Sequence, residues 1–457
     1  MKDKLKPNNS DYLWGYAASF LGLASGLLVL PIILKYLSKD QVGLWFVFVS
    51  LASFSQLLDS GFQPTITRNI GYVLGGARVL TRGKFTSLSN GCQPPSINLL
   101  QRLLNAAKKI YRVISVICLS TLLSFGSVYV LSLTKNLPEW RSVLIAWFLF
   151  AAGTALNLFS GFANSFILGY GDIAWPNRAL VFSRTIFIAL AIFLCSLGLG
   201  IVALGLAQLV SALSYQALLR CRFIFLLPYS IAEDQKPSSS NRLRTILWHN
   251  SRKMGLVQIG AFLVQKATIL IAASTLGVGD SASFSLSITL VNAFSSVCQT
   301  YVSYNSPFLV RIRLLGAGSM EALRARYLRI SLRSVMLFLL LAAFPLMFGP
   351  PILTYLGSST SLLPTQEFLV LSVIYALEVN HSVAATFIAS SNHIPFVLPS
   401  ILSGSLIVAL SIYFAPQYGV FAMIVIQGIV QLLYNNWKWP LDVLRETSNK
   451  KSLLNIA

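Results

Sequence analysis

Twelve long apolar segments follow one another along this 457-residue chain, and they constrain its fold more than any other feature. The hydrocarbon core of a bilayer is about 30 Å thick, so a spanning helix needs roughly 20 mostly apolar residues. The segments cover approximately 12–36, 40–62, 111–133, 141–168, 179–197, 201–226, 254–276, 281–308, 331–357, 365–390, 396–415 and 419–436. They predict an all-α, polytopic membrane protein with about twelve transmembrane helices.

The composition excludes several other classes of protein. Charged residues make up 11% of the chain, against about 25% in soluble domains, and the mean hydropathy is +0.70. An ordinary cytosolic enzyme, a secreted disulfide scaffold and a disordered chain are therefore excluded. The first apolar segment follows a short basic terminus and has no small-residue cleavage site, so we expect it to be an uncleaved first span.

The distribution of the 35 lysines and arginines predicts the orientation of the helices. The odd-numbered connections between segments are only three to seven residues long, whereas most even-numbered ones are longer and basic. If the N-terminus is inside, 29 cations lie on the cytoplasmic side and four lie on or beside the outer turns. The net charge of +21 is thus chiefly a topology signal, both termini are predicted to be cytoplasmic, and no nucleic-acid partner is expected.

The connections also divide the chain into two predicted lobes. Residues 1–230 form an N-terminal six-helix lobe that includes a cytoplasmic amphipathic stretch, 63–110. The pattern after Ser96 suits a helix lying at the cytoplasmic interface. A cytoplasmic linker covers 231–253, a C-terminal six-helix lobe covers 254–436, and a cytoplasmic tail covers 437–457.

A weak internal repeat relates the two lobes at an offset of 243 residues. The matched residues are Ser53/Ser296, Gln56/Gln299, Ser60/Ser303, Pro64/Pro307 and Arg68/Arg311. All five pairs fall at the predicted cytoplasmic exit of the second helix of each lobe. Transporters are often built from such repeats, with the substrate path between them, although chance similarity of apolar sequence remains the alternative.

Two stretches of the first lobe resemble a known family. The run 26–46, GLLVLPIILKYLSKDQVGLWF, resembles the start of Wzx-like polysaccharide flippases, the O-antigen and capsule translocases of the MATE-like MOP superfamily. Residues 58–62, LDSGF, with 68–70, RNI, look like that family's exit from helix 2. Leu276, Gly277 and Asp280 resemble a degenerate copy, which departs from the pattern at Ala282 and Phe284.

The resemblance implies a function and a setting. It implies a bacterial inner-membrane flippase with MATE-like lobes that moves a polyprenyl-pyrophosphate-linked oligosaccharide, an O-antigen or capsule repeat unit, to the periplasmic leaflet by alternating access. Membrane lipid, the lipid-linked glycan, a polymerase and other polysaccharide assembly proteins are the implied partners. No cofactor is expected, and because the sequence has no nucleotide site, the expected energy source is a proton or ion gradient or the membrane potential.

Two cations at membrane depth are the first candidates for binding the pyrophosphate. Charges inside a membrane are costly and usually line a cavity. Lys266 lies near the middle of helix 7, and Arg184 lies in helix 5; Arg178, at the cytoplasmic mouth of helix 5, is a further candidate for substrate binding. An ion pair with Glu378 is the alternative role for Lys266, and snorkelling to the interface is the alternative for Arg184.

A second set of residues is predicted to serve ion coupling, gating or the lining of a polar lumen. Glu378 and His381, one turn apart on helix 10, are candidates for a proton or cation site, with a packing hydrogen bond as the alternative. The gating candidates are Asp59, Arg68 and Arg311. The amide side chains expected in the lumen are Asn157, Asn164, Gln265, Asn292 and Gln299.

Enzyme functions find little support in the sequence. The chain has no G-x-x-x-x-G-K-[ST] phosphate loop, no H-E-x-x-H motif and no Cys/His cluster with metal-ligand spacing, so neither an enzyme nor a metal site is expected. The short outer turns leave no room for a catalytic loop. The alternatives to a flippase are a MATE-like exporter of small molecules or drugs and a non-transporting subunit of a polysaccharide assembly complex.

Overall fold

The computed structural model describes residues 13–15, 17–18, 29–59, 61–76, 96–135, 137–227, 241–314, 320–389 and 395–448, and no strand occurs among them. Residues 29–36 are helical. The helices that follow in the first part of the chain are α1 Lys39–Ala52, α2 Phe54–Asp59, α3 Phe62–Leu74, α4 Ile97–Thr121, α5 Ser127–Thr134, α6 Trp140–Phe159, α7 Gly161–Gly169, α8 Ala174–Ser196 and α9 Ile201–Leu226. Those of the second part are α10 Asn241–Gln265, α11 Ala267–Leu276, α12 Val278–Leu314, α13 Met320–Tyr355, α14 Thr365–Ala389, α15 Val397–Leu433 and α16 Asn435–Ser448.

The predicted all-α membrane fold is confirmed. In the described part of the chain, ten helical runs are long and apolar enough to cross a bilayer, which makes the chain a multi-pass membrane protein. Two features account for the difference from the twelve predicted spans. Residues 19–28 of the first span lie outside the described residues, and the last two spans form one helical run with a break at Gly419.

The short turns predicted between spans contain glycines with a left-handed backbone. Gly200 has a φ of 53° and Gly277 a φ of 85°, a conformation that carries little penalty only for a residue without a Cβ. Both lie within the turns predicted at 198–200 and 277–280. The chain can reverse there because glycine adopts this conformation without the strain that a side chain would cause.

The cytoplasmic amphipathic stretch differs from the prediction. Helix α4 begins at Ile97, where the Ser96 hydroxyl accepts a hydrogen bond from the Leu99 amide, and it runs unbroken to Thr121. A π-helical turn, Leu122–Gly126, then leads directly into α5. The amphipathic segment is therefore an extension of the third span rather than a separate helix on the membrane surface. Helix α3 likewise extends to Leu74, past the predicted end of the second span at residue 62.

The chain divides into two compact units. The limits predicted from the sequence for the two six-helix lobes remain a prediction. The first unit comprises Met1–Ile32 and Phe48–Ile259. Within it α9 packs so closely on α6 that a Cβ at Gly205 would lie 2.5 Å from the Ala146 carbonyl oxygen. Small residues let transmembrane helices approach to this distance. The buried Trp147 indole lies against Gly126 and donates to the Ser127 hydroxyl at 3.1 Å.

The second unit comprises Ile33–Val47 and Gly260–Ala457. One apolar core of this unit joins α12, α13, α14 and α16 and contains Val302, Met320, Leu323, Tyr327, Ile330, Val383, Ala384, Phe387, Ile388, Trp439 and Val443. A segment from early in the sequence, the first residues of α1 included, therefore belongs to this unit.

The outer surface of α13 is suited to lipid. Leu332, Met336, Leu340 and Met347 recur along one side of this helix and are each more than 60% exposed. Large apolar side chains with this exposure are unfavourable in water and favourable against acyl chains. The helix therefore faces lipid along this side.

Candidate functional site

A group of polar side chains lies inside the second unit, at membrane depth along α14. Glu378 and His381 stand one turn apart and are both half-buried, with Glu378 Oε2 3.7 Å from His381 Nδ1. Tyr375, one turn earlier, is buried and lies close to Asn292, Gln427 and Glu378. These five residues, from α12, α14 and α15, are called the Glu378 cluster.

Four atoms of the Glu378 cluster are buried without a hydrogen-bond partner among the described residues. They are Glu378 Oε1, His381 Nδ1, Tyr375 Oη and Asn292 Nδ2. Leaving one buried polar group unsatisfied costs about 1–3 kcal/mol. Several such groups in one place indicate a site that a bound proton, cation or water would complete.

Further polar contacts extend along the same helix. The Gln299 amide donates to the Ser382 hydroxyl, and the Ser331 hydroxyl donates to Asn380 Oδ1 at 2.5 Å. Three helices, α12, α13 and α14, therefore exchange side-chain hydrogen bonds across an otherwise apolar interior. The predicted lumen residues Asn292 and Gln299 thus lie on the same helix, α12, opposite α14.

The oxygen-rich character of the Glu378 cluster suits a proton or a hard cation. A carboxylate, a phenol and two amides supply oxygen ligands of the kind that such ions prefer. Within the described residues, no three acidic, histidine or cysteine side chains gather as they would around a multivalent metal ion. The cluster contains one acidic group and one histidine, both able to carry a proton.

Lys266 occupies an interruption in a membrane helix. It separates α10 from α11 with a φ of −114°, and its side chain is half-buried. The ion pair with Glu378 considered from the sequence is not formed, and in the described part of the chain no carboxylate lies within ion-pair distance of the ammonium. Interrupted membrane helices are typical of transporter binding sites. Gln265, beside it, is exposed.

The two arginines predicted in helix 5 have different surroundings. Arg184 is half-buried on α8 and interacts electrostatically with Tyr215 of α9. Arg178 lies at the start of the same helix, with its guanidinium 5.2 Å from the centre of the Trp14 ring. Arg178 therefore makes a cation–π contact, whereas Arg184 lies deeper, beside a phenol.

Two of the three gating candidates, Asp59 and Arg68, have described side chains, and their surroundings differ. Asp59 accepts a 2.7 Å hydrogen bond from the Tyr111 hydroxyl, which joins the end of α2 to α4. Arg68 is exposed on α3, and it forms no ion pair with Asp59, both residues being in the described part of the chain. Arg311 lies in the last turns of α12, and its side chain falls outside the described residues.

The remaining predicted amides lie in the first unit. Asn157 is half-buried near the end of α6, and Asn164 is half-buried on α7 with its Oδ1 atom buried and unpartnered among the described residues. These two residues flank the break between α6 and α7 at Ser160.

Two members of the Glu378 cluster were not predicted. Tyr375 stands at i−3 from Glu378, so helical periodicity could have placed it on the same face. Gln427 is a polar residue within an apolar span, which is the signal that singled out the other amides. The packing that brings three helices to one point has no sequence motif.

Comparison with known proteins adds to this geometry. No protein-family model matches the sequence, and no curated protein sequence matches it. Among solved structures, a multidrug resistance MATE family transporter of the MOP superfamily, in an inward-facing conformation, superposes with a TM-score of 0.71 and 15% identity over 94% of this chain and 96% of that one. The chain has a MATE-like fold.

Two further structures share this MATE-like fold. The MATE multidrug transporter DinF-BH superposes with a TM-score of 0.65, at 13% identity over 98% of each chain. The lipid II flippase MurJ superposes with a TM-score of 0.58, at 10% identity over 96% of this chain and 91% of that one. At these identities the likeness establishes the fold, and both drug transporters and a lipid flippase occur within it.

Proposed function

We propose that this protein is a flippase that moves a polyprenyl-pyrophosphate-linked oligosaccharide, such as an O-antigen or capsule repeat unit, from the cytoplasmic to the periplasmic leaflet. It acts by alternating access in the bacterial inner membrane, with both termini in the cytoplasm. The proposal extends the sequence resemblance to polysaccharide flippases, and the MATE-like fold, which MurJ shares, is consistent with it.

One observation carries the proposal: two cations at membrane depth have no carboxylate partner in the described part of the chain. They are Lys266 at the interruption between α10 and α11, and Arg184 on α8. An uncompensated cation in a membrane is costly and is retained where an anionic ligand or a water-filled path uses it. A pyrophosphate offers two negative charges and several acceptor oxygens, and lysine and arginine side chains bind such groups through charge-assisted hydrogen bonds.

The Glu378 cluster is proposed to couple transport to an ion gradient. Its buried, unpartnered oxygens and its carboxylate would bind a proton or cation in one state of the transport cycle and release it in the other. No phosphate loop for ATP occurs in the sequence, so an ion gradient or the membrane potential is the proposed energy source.

A drug exporter is the second candidate function. Two of the structures that superpose on this chain are named as multidrug transporters, and a lone carboxylate such as Glu378 suits a cationic drug. A non-transporting assembly subunit is the third candidate. The cations at membrane depth favour the anionic lipid-linked substrate over both.

Purified protein in liposomes separates the three candidates. The vesicles carry a fluorescent polyprenyl-pyrophosphate glycan in one arm and a cationic dye in the other, with an imposed proton or sodium gradient. A flippase exposes the glycan to an impermeant quencher and leaves the dye distribution unchanged. Dye movement alone identifies an exporter, and movement of neither substrate identifies the assembly subunit.

A further inference from the structure

A cavity of about 650 Å³ opens at one end of the first unit, and none of the proposed substrate-binding or ion-coupling residues lines it. Its walls are stripes of α4 and α9, and its floor is the break between α6 and α7. Gln101, Asn105 and Lys108 line the α4 side, and Gln216 and Arg220 line the α9 side. The spacing along each helix places these residues on one face.

Among the described residues, no carboxylate forms an ion pair with the two cations of this cavity, Lys108 and Arg220. The described acidic residues of the first unit are Asp59, Glu139 and Asp172. Asp59 accepts from Tyr111, Asp172 pairs with Arg222 at 2.6 Å, and Glu139 lies at the other end of the unit, before α6. Lys108 and Arg220 therefore have no ion pair among the described residues, and three amides beside them supply further donors.

Apart from Ser160, the rest of the lining is apolar or aromatic. Phe162 of α7 lies 5.2 Å from Phe159 and 5.5 Å from Phe223, measured between ring centres, and the three rings form one wall. Polar cationic groups thus stand beside a hydrophobic surface in a single cavity. This combination matches an amphiphile whose anionic group binds the cations while its chains lie against the rings.

The location of the cavity indicates which kind of amphiphile would bind there. It lies where α4 begins and α9 ends, which the distribution of cations predicts to be the cytoplasmic interface. The cytoplasmic leaflet is rich in anionic phospholipids, and basic pockets between transmembrane helices on this side bind their head groups. We propose that this cavity is a binding site for the phosphodiester head group of an anionic membrane phospholipid.

Native mass spectrometry of the full chain in detergent tests the proposal, with phosphatidylglycerol, phosphatidylcholine and inorganic phosphate as probes. The double variant Lys108→Gln/Arg220→Gln should weaken phosphatidylglycerol binding about thirtyfold, since each cation near a lipid head group contributes about 1 kcal/mol. Lys108→Arg, which keeps the charge, should bind as the wild type does. Phosphatidylcholine binding should be weak throughout.

The matched control is Lys109→Gln/Arg112→Gln, which removes the same charge from exposed positions of α4 that do not line the cavity. It should change phosphatidylglycerol binding less than about threefold, because these side chains do not reach the head group. Equal losses of phosphatidylglycerol affinity in the two double variants would show that general surface charge causes the effect, and they would overturn the proposed site. Inorganic phosphate binding as tightly as the lipid would also overturn it, in favour of a free-anion site. The measurement needs no transport, so its failure is separate from failure of the proposed flippase activity.

Discussion

The ammonium of Lys39, the first residue of α1, lies 3.0 Å from Oδ1 of Asp280 in the first turn of α12. The pair joins two segments of the second unit that are 241 residues apart in sequence. Both side chains are largely exposed, at 42% and 78%. An ion pair with this exposure contributes at most about 1 kcal/mol, so close packing beneath it holds the two segments together.

Gly43 provides the test of that packing. A Cβ at this position would lie 1.9 Å from the Val278 carbonyl oxygen, so Gly43→Ala should lower the free energy of unfolding by about 1–3 kcal/mol. Lys39→Ala should lower it by less than about 1 kcal/mol. Thermal unfolding in detergent measures both. Gly71→Ala is the matched control, because its Cβ would meet no atom closer than 3.9 Å; a larger loss from Lys39→Ala than from Gly43→Ala would contradict the account.

The ion pair between Arg222 and Asp172 is partly buried, so it should contribute more to the free energy of unfolding than the exposed pair between Lys39 and Asp280. Arg222 Nε and Nη2 lie 2.7 and 2.6 Å from Asp172 Oδ2, and the guanidinium also lies over the rings of Trp175 and Phe225. Arg222→Lys keeps the charge and loses the planar contacts, so it should destabilise the protein by about 1–2 kcal/mol. Arg112→Lys, at an exposed site, should have no effect on the same unfolding measurement. Equal stability of the two variants would show that charge alone suffices at position 222.

Glu378→Gln should remove the pH dependence of transport. The substitution keeps the size of the side chain and deletes the proton-binding group of the Glu378 cluster. Initial rates in liposomes, measured across a pH series without a membrane potential, give the profile. Glu367→Gln, a change to the other carboxylate of α14, is the matched control and should keep the wild-type profile. An unchanged profile in Glu378→Gln would remove this carboxylate from ion coupling.

Lys266→Ala should reduce surface polysaccharide in cells that depend on this protein, with no change in the amount of protein in the membrane. The ammonium has no carboxylate partner in the described part of the chain, so its removal should cost little stability and should weaken pyrophosphate binding. Immunoblotting of polysaccharide and of the tagged protein measures the two effects. Lys109→Ala, at an exposed position of α4, is the control. Normal polysaccharide in Lys266→Ala would reduce this residue to a packing role.

The sequence was sufficient for the membrane fold and for the turns at Gly200 and Gly277, because hydropathy and glycine conformation act locally. The sequence did not predict that α4 continues from the amphipathic stretch into the third span. No residue near 110 and 111 marks whether one helix ends there and another begins. The partner of Asp59 was also missed. Tyr111 lies 52 residues away, and only tertiary packing brings its hydroxyl to the carboxylate.

The candidate site was likewise predicted only in part. Periodicity placed Glu378 and His381 on one face of a helix, and the structure has them 3.7 Å apart. The convergence of Asn292 and Gln427 on Tyr375 depends on how three helices cross, which no local pattern encodes. The absence of an ion pair between Lys266 and Glu378, both described residues, likewise required the positions of both helices.

In the proposed flippase, the cation at position 266 binds the pyrophosphate of a lipid-linked glycan during translocation. Initial rates of glycan translocation in liposomes test this role, measured for the wild type, Lys266→Arg and Lys266→Gln at equal protein incorporation. Lys266→Arg should keep most of the rate, and Lys266→Gln should lose at least about tenfold, equivalent to one charge-assisted hydrogen bond of about 1.4 kcal/mol or more. Equal rates in the wild type and Lys266→Gln would contradict it.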